Sequence, residues 1–201
     1  MTVAVYLVLV GVGGQGTLLA SNILADVGLA AGLDVKKSEV HGMSQRGGSV
    51  VSHVRWHPEH VASPLVGLGE ADILLAFEKL EALRFVEFLK RGGTAIVNEM
   101  EIVPITVSAG GGHYPTDRDL DTALAAVSAR VIRVPGERLA QAAGNVKAAN
   151  VVLLGAISHL LPLPGDVWWR CLEQRVPKKF LDLNRTAFAS GRAAVAGRPS
   201  D

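Results

Sequence analysis

The chain has 201 residues, 49% hydrophobic and 19% charged, and its 20 basic and 19 acidic side chains leave a formal net charge of +1. So apolar a composition excludes a disordered chain, and the charge balance offers neither the basic excess nor the basic stripe of a nucleic-acid binder. The single cysteine, Cys171, excludes an intrachain disulfide and a four-thiolate iron–sulfur cluster held by this chain alone. No basic segment precedes the apolar run that opens the chain, so a cytoplasmic setting is expected rather than export. Val151 to Leu163 is too short to span a bilayer and reads as a buried helix.

Val3 to Val10 is a nearly continuous apolar run, as in a strand covered on both faces of a parallel sheet. A glycine-rich turn follows at once. Thr17 to Ala31 then repeats apolar residues at helical spacing, and Leu33 to Val40 reads as a second strand, giving one βαβ unit in the first forty residues. His41 to Gly48 is a second polar, glycine-rich loop. Strands are expected at Ser49 to Trp56, Ala71 to Phe77, Thr94 to Asn98 and Arg130 to Pro135. Between them, Glu78 to Lys90 reads as a helix closed by Arg91-Gly92-Gly93, Ile102 to Thr116 as an excursion, and Asp121 to Ser128 as a helix. The remainder reads as helical, with Asn145 to Leu161 the longest segment, then Gly165 to Gln174 and Lys178 to Ser190; Gly197 to Asp201 reads as a frayed tail. Alternating strands and helices predict an α/β, Rossmann-like layered fold with a largely parallel sheet and a helix-rich C-terminal part.

Gly11-Val12-Gly13-Gly14-Gln15-Gly16 has glycines at dinucleotide spacing, after a strand and opening a helix. Unpaired amides at a helix N-terminus and the helix dipole favour an anion there. A dinucleotide would also need an acid about twenty residues on to hold a ribose hydroxyl. That region reads Asp34-Val35-Lys36-Lys37-Ser38-Glu39, with lysines in its centre and Glu39 the late candidate. Three readings stay open for this turn: NAD(P), another phosphate or cofactor contact, and tight packing alone.

The loops at the carboxyl ends of parallel strands line the ligand crevice of such sheets, so the second loop is expected on the same rim. It offers the planar fork of Arg46, the neutral donors of Ser44 and Gln45, and close backbone passage at Gly47 and Gly48. His41 begins it and is a candidate for proton transfer or for ordering the loop.

Val10 to Gly16, followed by the stretch His41 to Val54, resembles the gamma domain of 2-oxoacid:ferredoxin oxidoreductases. The fuller wording from Glu39 to Arg55 is most similar to the small (beta) subunit of indolepyruvate:ferredoxin oxidoreductases, and the end of the chain fits as well, through Asn145 to Gly155, Val176-Pro177-Lys178-Lys179-Phe180 to Asn184, Ala187-Phe188 and Gly191. The likeness implies one gamma-type domain over residues 1–201, with C-terminal helices from about 145. It implies a complex that decarboxylates a 2-oxoacid with thiamine diphosphate and magnesium, passes electrons through 4Fe-4S clusters to ferredoxin, and hands the acyl group to coenzyme A. The chain has no Gly-Asp-Gly…Asn-Asn pattern for thiamine diphosphate, so a larger partner subunit is expected to carry that cofactor and the clusters. On this likeness the isolated chain is inactive, and it lends Gly11, Gly13, Gly14, Gln15, Gly16, Ser44, Gln45, Arg46, Gly47 and Gly48 to a coenzyme A or cofactor cleft. The rival readings are a stand-alone NAD(P)-dependent reductase and a purely structural subunit. Neither nucleic acid nor membrane is expected as a partner, and self-association of the isolated chain is left open.

His53, His57 and His60 are spaced loosely as metal ligands are, but no fourth ligand accompanies them, and no metal site is expected. Cys171 reads as a small buried side chain. Trp168 and Trp169 are equally suited to a core or a partner contact.

Overall fold

The computed structural model describes residues 4–41 and 47–196. Six strands form one sheet in the order β2-β3-β1-β4-β5-β6. They are β1 Val5–Val12, β2 Asp34–His41, β3 Ser49–His57, β4 Ala71–Ala76, β5 Leu89–Asn98 and β6 Arg130–Val134. Five run the same way. β3 opposes its neighbours, pairing Val8 with His53 on one side and Lys37 with Val54 on the other. β1, β4, β5 and β6 are parallel, in registers such as Val8 with Leu74 and Ala95 with Val131. The Rossmann-like, largely parallel expectation therefore holds, with one amendment. β1, the helix after it and β2 do not form a closed βαβ pair, because β3 folds back between the two strands.

Among the described residues the α-helices are α1 Thr17–Ala30, α2 Lys79–Arg84, α3 Ile105–Ser108, α4 Asp117–Ala125, α5 Gly136–Ala142, α6 Ala149–Leu160, α7 Gly165–Arg175 and α8 Leu181–Ala196. Strand alternation sorts the core onto two faces. Leu7 and Leu9 turn toward α1, α6, α7 and α8, joining Ile23, Leu24, Leu153 and Trp168. Val8 and Val10 turn the other way, toward Ala82, Leu120 and Leu124 of α2 and α4. The apolar α6 is buried from Asn150 to Ser158, as its composition predicts. Its backbone meets that of α8 directly: a Cβ on Gly155 would lie 2.0 Å from the Phe188 carbonyl oxygen, and one on Gly191 1.8 Å from that of Val152. Among the described residues no helix is long and apolar enough to cross a membrane.

Several predicted boundaries move. The helix expected over Glu78 to Lys90 ends at Arg84; a 3-10 turn, Val86–Phe88, follows, and β5 begins at Leu89, so Arg91-Gly92-Gly93 lies inside a strand. Gly92, at φ 79°, carries the strand through an irregular start that side-chain periodicity could not show. The helix predicted at Asp121 begins at Asp117, set by a reciprocal cap in which Thr116 Oγ1 accepts from the Asp119 amide and the Asp119 carboxylate accepts from the Thr116 amide. The excursion before it contains the single turn α3. Asn145 to Leu161 divides into a 3-10 turn, Val146–Ala148, and α6, which leaves the 16-residue α8 as the longest helix. Val3 and the tail from Gly197 lie outside the described residues.

Candidate functional site

The carboxyl ends of β1 and β4 lie side by side where the chain parts, α1 leaving toward one face of the sheet and α2 toward the other. In open α/β sheets a ligand crevice forms at this switch point. Here it is filled from within. β1 continues through Gly11 to Val12, and a Cβ on Gly11 would lie 2.8 Å from Gln15 Oε1 and 2.9 Å from Phe77 Cβ. Gly14 and Gly16 take φ of 106° and 84°, which only glycine adopts without strain. Between them, Gln15 folds back over the strand ends. Its Oε1 accepts from the Val12 amide at 2.7 Å, and its Nε2 donates to the Phe77 carbonyl at 3.0 Å and meets Met100 Sδ at 3.1 Å. One carboxamide thus ties β1 to β4 across the crevice.

The second glycine loop arrives at the same place. The Gly13 amide donates to the Gly48 carbonyl at 2.9 Å, so the two glycine turns share a backbone hydrogen bond on one rim. The Gln15 amide is also occupied, by the Val12 carbonyl at 3.2 Å, whereas the amides of Gly14 and Gly16 donate to no described residue. Exposed Gly47 sits in the left-handed region, at φ 76°. Just beyond, the Ser49 hydroxyl donates to the buried Glu81 carboxylate, whose other oxygen accepts from Arg84 at 2.7 Å. The side chain of His41, and the whole of Ser44, Gln45 and Arg46, fall outside the described residues.

Sequence reasoning did not single out the residues that close this rim further along. Asn98, at the end of β5, donates to the Phe77 carbonyl and to Glu137, each at 3.0 Å, and accepts from the Gly136 amide at 3.0 Å, so β4, β5 and the start of α5 are joined through one buried carboxamide. Glu78 caps α2 by accepting from the Glu81 amide at 2.9 Å. It accepts as well from the Ile102 amide and from the Tyr114 hydroxyl. Burial first, and then this carboxylate, push the Tyr114 phenol well above its ordinary range, so it stays a donor. A polar residue closing an apolar run, as in Ala95-Ile96-Val97-Asn98, was the signal available for Asn98.

The arrangement suits a dinucleotide poorly. Gln15 occupies the crevice, and the intervening β3 sets β2 two strand spacings, about 10 Å, from β1. Glu39 is engaged besides, accepting from Lys37 at 2.5 Å and from Ser21 at 3.1 Å. The three histidines part company. Buried His53 accepts from the Val66 amide and is held neutral by desolvation; His57 accepts from the Glu59 and His60 amides; His60 pairs with Asp34 at 3.2 Å. Cys171 is buried and its thiol is pushed up by desolvation and then by Asp26. Trp168 belongs to the core, whereas Trp169 is half-buried at its edge, donating to Glu173 beneath the Arg185 guanidinium.

Residues 6–194 match the pyruvate ferredoxin/flavodoxin oxidoreductase family. The chain is 40% identical over 197 residues to the indolepyruvate oxidoreductase subunit IorB of Archaeoglobus fulgidus, covering 96% of this chain and 97% of that one. It is 41% identical over 192 residues to the subunit of the same name from Thermococcus kodakarensis, covering 94% and 95%. The gamma subunit of a keto/oxoacid ferredoxin oxidoreductase from Geobacter sulfurreducens shares the fold, with a TM-score of 0.72 at 24% identity over 96% of this chain and 99% of that one. So does a 2-oxoglutarate:ferredoxin oxidoreductase from Magnetococcus marinus, with a TM-score of 0.77 at 19% identity over 98% of this chain and 32% of that one.

Proposed function

The chain belongs to the pyruvate ferredoxin/flavodoxin oxidoreductase family, and from that premise we propose that it is the small, non-redox subunit of a 2-oxoacid:ferredoxin oxidoreductase acting on indolepyruvate or another arylpyruvate. The observation that carries this reading is the near-complete coverage, at 40–41% identity, of relatives named as indolepyruvate oxidoreductase subunits. In the proposed assembly, which belongs in the cytoplasm, a larger subunit holds thiamine diphosphate, magnesium and the 4Fe-4S clusters. The 2-oxoacid is oxidatively decarboxylated there, its electrons go to ferredoxin and its acyl group goes to coenzyme A. A chain with one cysteine cannot ligate such a cluster, and in this one the thiol is in the core.

This chain's own part is one wall of the acyl-acceptor cleft together with a docking surface. The shared rim supports that role: the Gly14 and Gly16 amides are unoccupied by described residues, and the Gly13–Gly48 bond ties the end of the second glycine loop to the same edge. Arg46 is proposed to supply the charged fork for an anionic group of coenzyme A or of the partner's cofactor region.

The experiment is co-expression with the large subunit, followed by assays of arylpyruvate-dependent ferredoxin reduction and acyl-coenzyme A formation. The assembled complex is expected to be active and the isolated chain inactive; a fully active large subunit without this chain contradicts the reading. Arg46→Ala in the complex is expected to raise KM for coenzyme A. Unchanged kinetics with unchanged assembly refute the role given to Arg46, and failed assembly with normal kinetics in the surviving complex assigns the loop to docking.

A further inference from the structure

We propose that two copies of this chain join edge to edge along β2, antiparallel about a two-fold axis at Ser38, into one continuous sheet. The two ends of the sheet are unlike. β6 is five residues long, and its Arg133 is bound across to Asp117 and Asp121 of α4. β2 is eight residues long and pairs with β3 alone among the described residues. Such an edge offers a row of backbone donors and acceptors to a further strand, and soluble proteins blunt it by shortening it, covering it or loading it with charge. β2 carries charge, but its charges cancel. Lys37 and Glu39 share one face and bond at 2.5 Å, with side chains still 31% and 17% exposed. The Ser21 hydroxyl of α1 fixes Glu39 from behind at 3.1 Å. On the other face Val40 is left 53% exposed.

The order of charges along β2 selects the partner. Residues opposite one another in an antiparallel pair share a face, and the faces of a strand alternate, so a strand pairs with its own copy only in registers centred on a residue. Centred on Lys36, on Lys37 or on Glu39, like charge meets like at the axis. Centred on Val35 or Val40, only residues 34–36 or 39–41 of the strand overlap. Centred on Ser38, Lys37 of each copy lies opposite Glu39 of the other, and a small hydroxyl sits on the axis. The two Lys37–Glu39 pairs then close into a ring of four alternating charges.

On the reverse face of that register, Lys36 of each copy lies opposite Val40 of the other, so its methylene stem covers the exposed side chain while its ammonium stays in water. A foreign strand would need the same opposite charges at the same spacing in reverse order. A second copy supplies them by symmetry, as an isologous interface requires. The pairing uses the side of the sheet rather than the rim where the glycine turns meet, so it is compatible with the docking proposed above and does not depend on it.

The test is sedimentation of the purified full chain over a range of concentrations. The native chain is expected to sediment as two copies when concentrated and to separate on dilution. Lys37→Glu and Glu39→Lys each set like charges opposite one another, and each is expected to raise the dissociation constant by about tenfold or more. The exchanged pair Lys37→Glu/Glu39→Lys, and an equal mixture of the two single variants, are expected to associate again. A native chain that stays single at every concentration overturns the proposal. So does association that neither single reversal weakens, or that neither the exchange nor the mixture recovers. Should a reversal unfold the chain, as circular dichroism would show, amide exchange of the native chain decides. The β2 amides facing away from β3 are expected to exchange faster on dilution, and exchange indifferent to concentration overturns the proposal.

Discussion

Two neighbouring parts of one sheet edge differ in how their polar groups are used. At the glycine turn, Gly13, Gln15 and the Gln15 carboxamide are all bonded within the chain, and the crevice between β1 and β4 is closed. One residue further on, where Gly16 meets Asn150, α1 starts without a side-chain cap, whereas first-turn amides of α6 are already taken, Ala149 by the Val146 carbonyl and Val151 by Asn150 Oδ1. A glycine-rich turn is thus no guarantee of an open phosphate cradle. The same spacing can serve to brace two strands, leaving the Gly14 and Gly16 amides unpaired among the described residues.

The contrast depends on α6 being held rigidly against α8, so the largest effect is expected there. Gly191→Val drives a side chain into the Val152 carbonyl, and chemical denaturation should register a loss of about 3 kcal/mol or more. A loss below about 1 kcal/mol would mean that the two helices separate easily. Gln15→Ala comes next. It leaves the buried Val12 amide unpaired and should cost about 2 kcal/mol, whereas Gln15→Glu keeps the acceptor, loses the donor to Phe77 and is expected to be destabilising too. If both variants melt with the native protein, the turn is not braced and the comparison collapses.

A smaller effect comes from a surface cluster of ion pairs among Lys79, Glu101, Asp117, Asp121 and Arg133. Asp117 accepts from Lys79 and Arg133, each at 2.8 Å, and these bonds hold its carboxyl down at about 2, against an ordinary 3.8. A depressed acid stabilises the fold fully above its ordinary value and loses that contribution as pH falls through the interval down to about 2. Thermal melts across that interval should therefore fall less steeply for Asp117→Asn than for the native chain. The effect is modest because the carboxylate is largely exposed. Lys147→Glu should do least of all to stability, within about 0.5 kcal/mol, because the side chain is exposed. A larger loss would give Lys147 a structural duty.

Much of the architecture was legible from periodicity. The apolar runs of β1 and β4 and the greasy α6 could be read directly, since strands covered on both faces and helices buried all round leave that mark. The return of β3 between β1 and β2 could not, because alternation in Ser49 to Trp56 marks a strand and not its direction. Nor could the early end of α2, where Leu80, Leu83, Val86 and Leu89 keep helical spacing while the chain has already turned into β5. At the site, the pairing of the two glycine loops was foreseeable from the rule that ligand loops gather at strand carboxyl ends. The role of Gln15 was not, since its importance lies in a carbonyl 62 positions away. Asn150 was noticed only as part of a likeness; its contact with Gly16 depends on α1 and α6 meeting in space.

Amide hydrogen exchange on the assembled complex, with and without saturating coenzyme A, tests the central contrast most directly. Coenzyme A is expected to slow exchange at Gly14 and at Gly16 to Leu19, and to leave the already bonded amides of Gly13 and Gln15 as they were. Slowing confined to Gly13 and Gln15, or no change at the start of α1, would contradict that contrast.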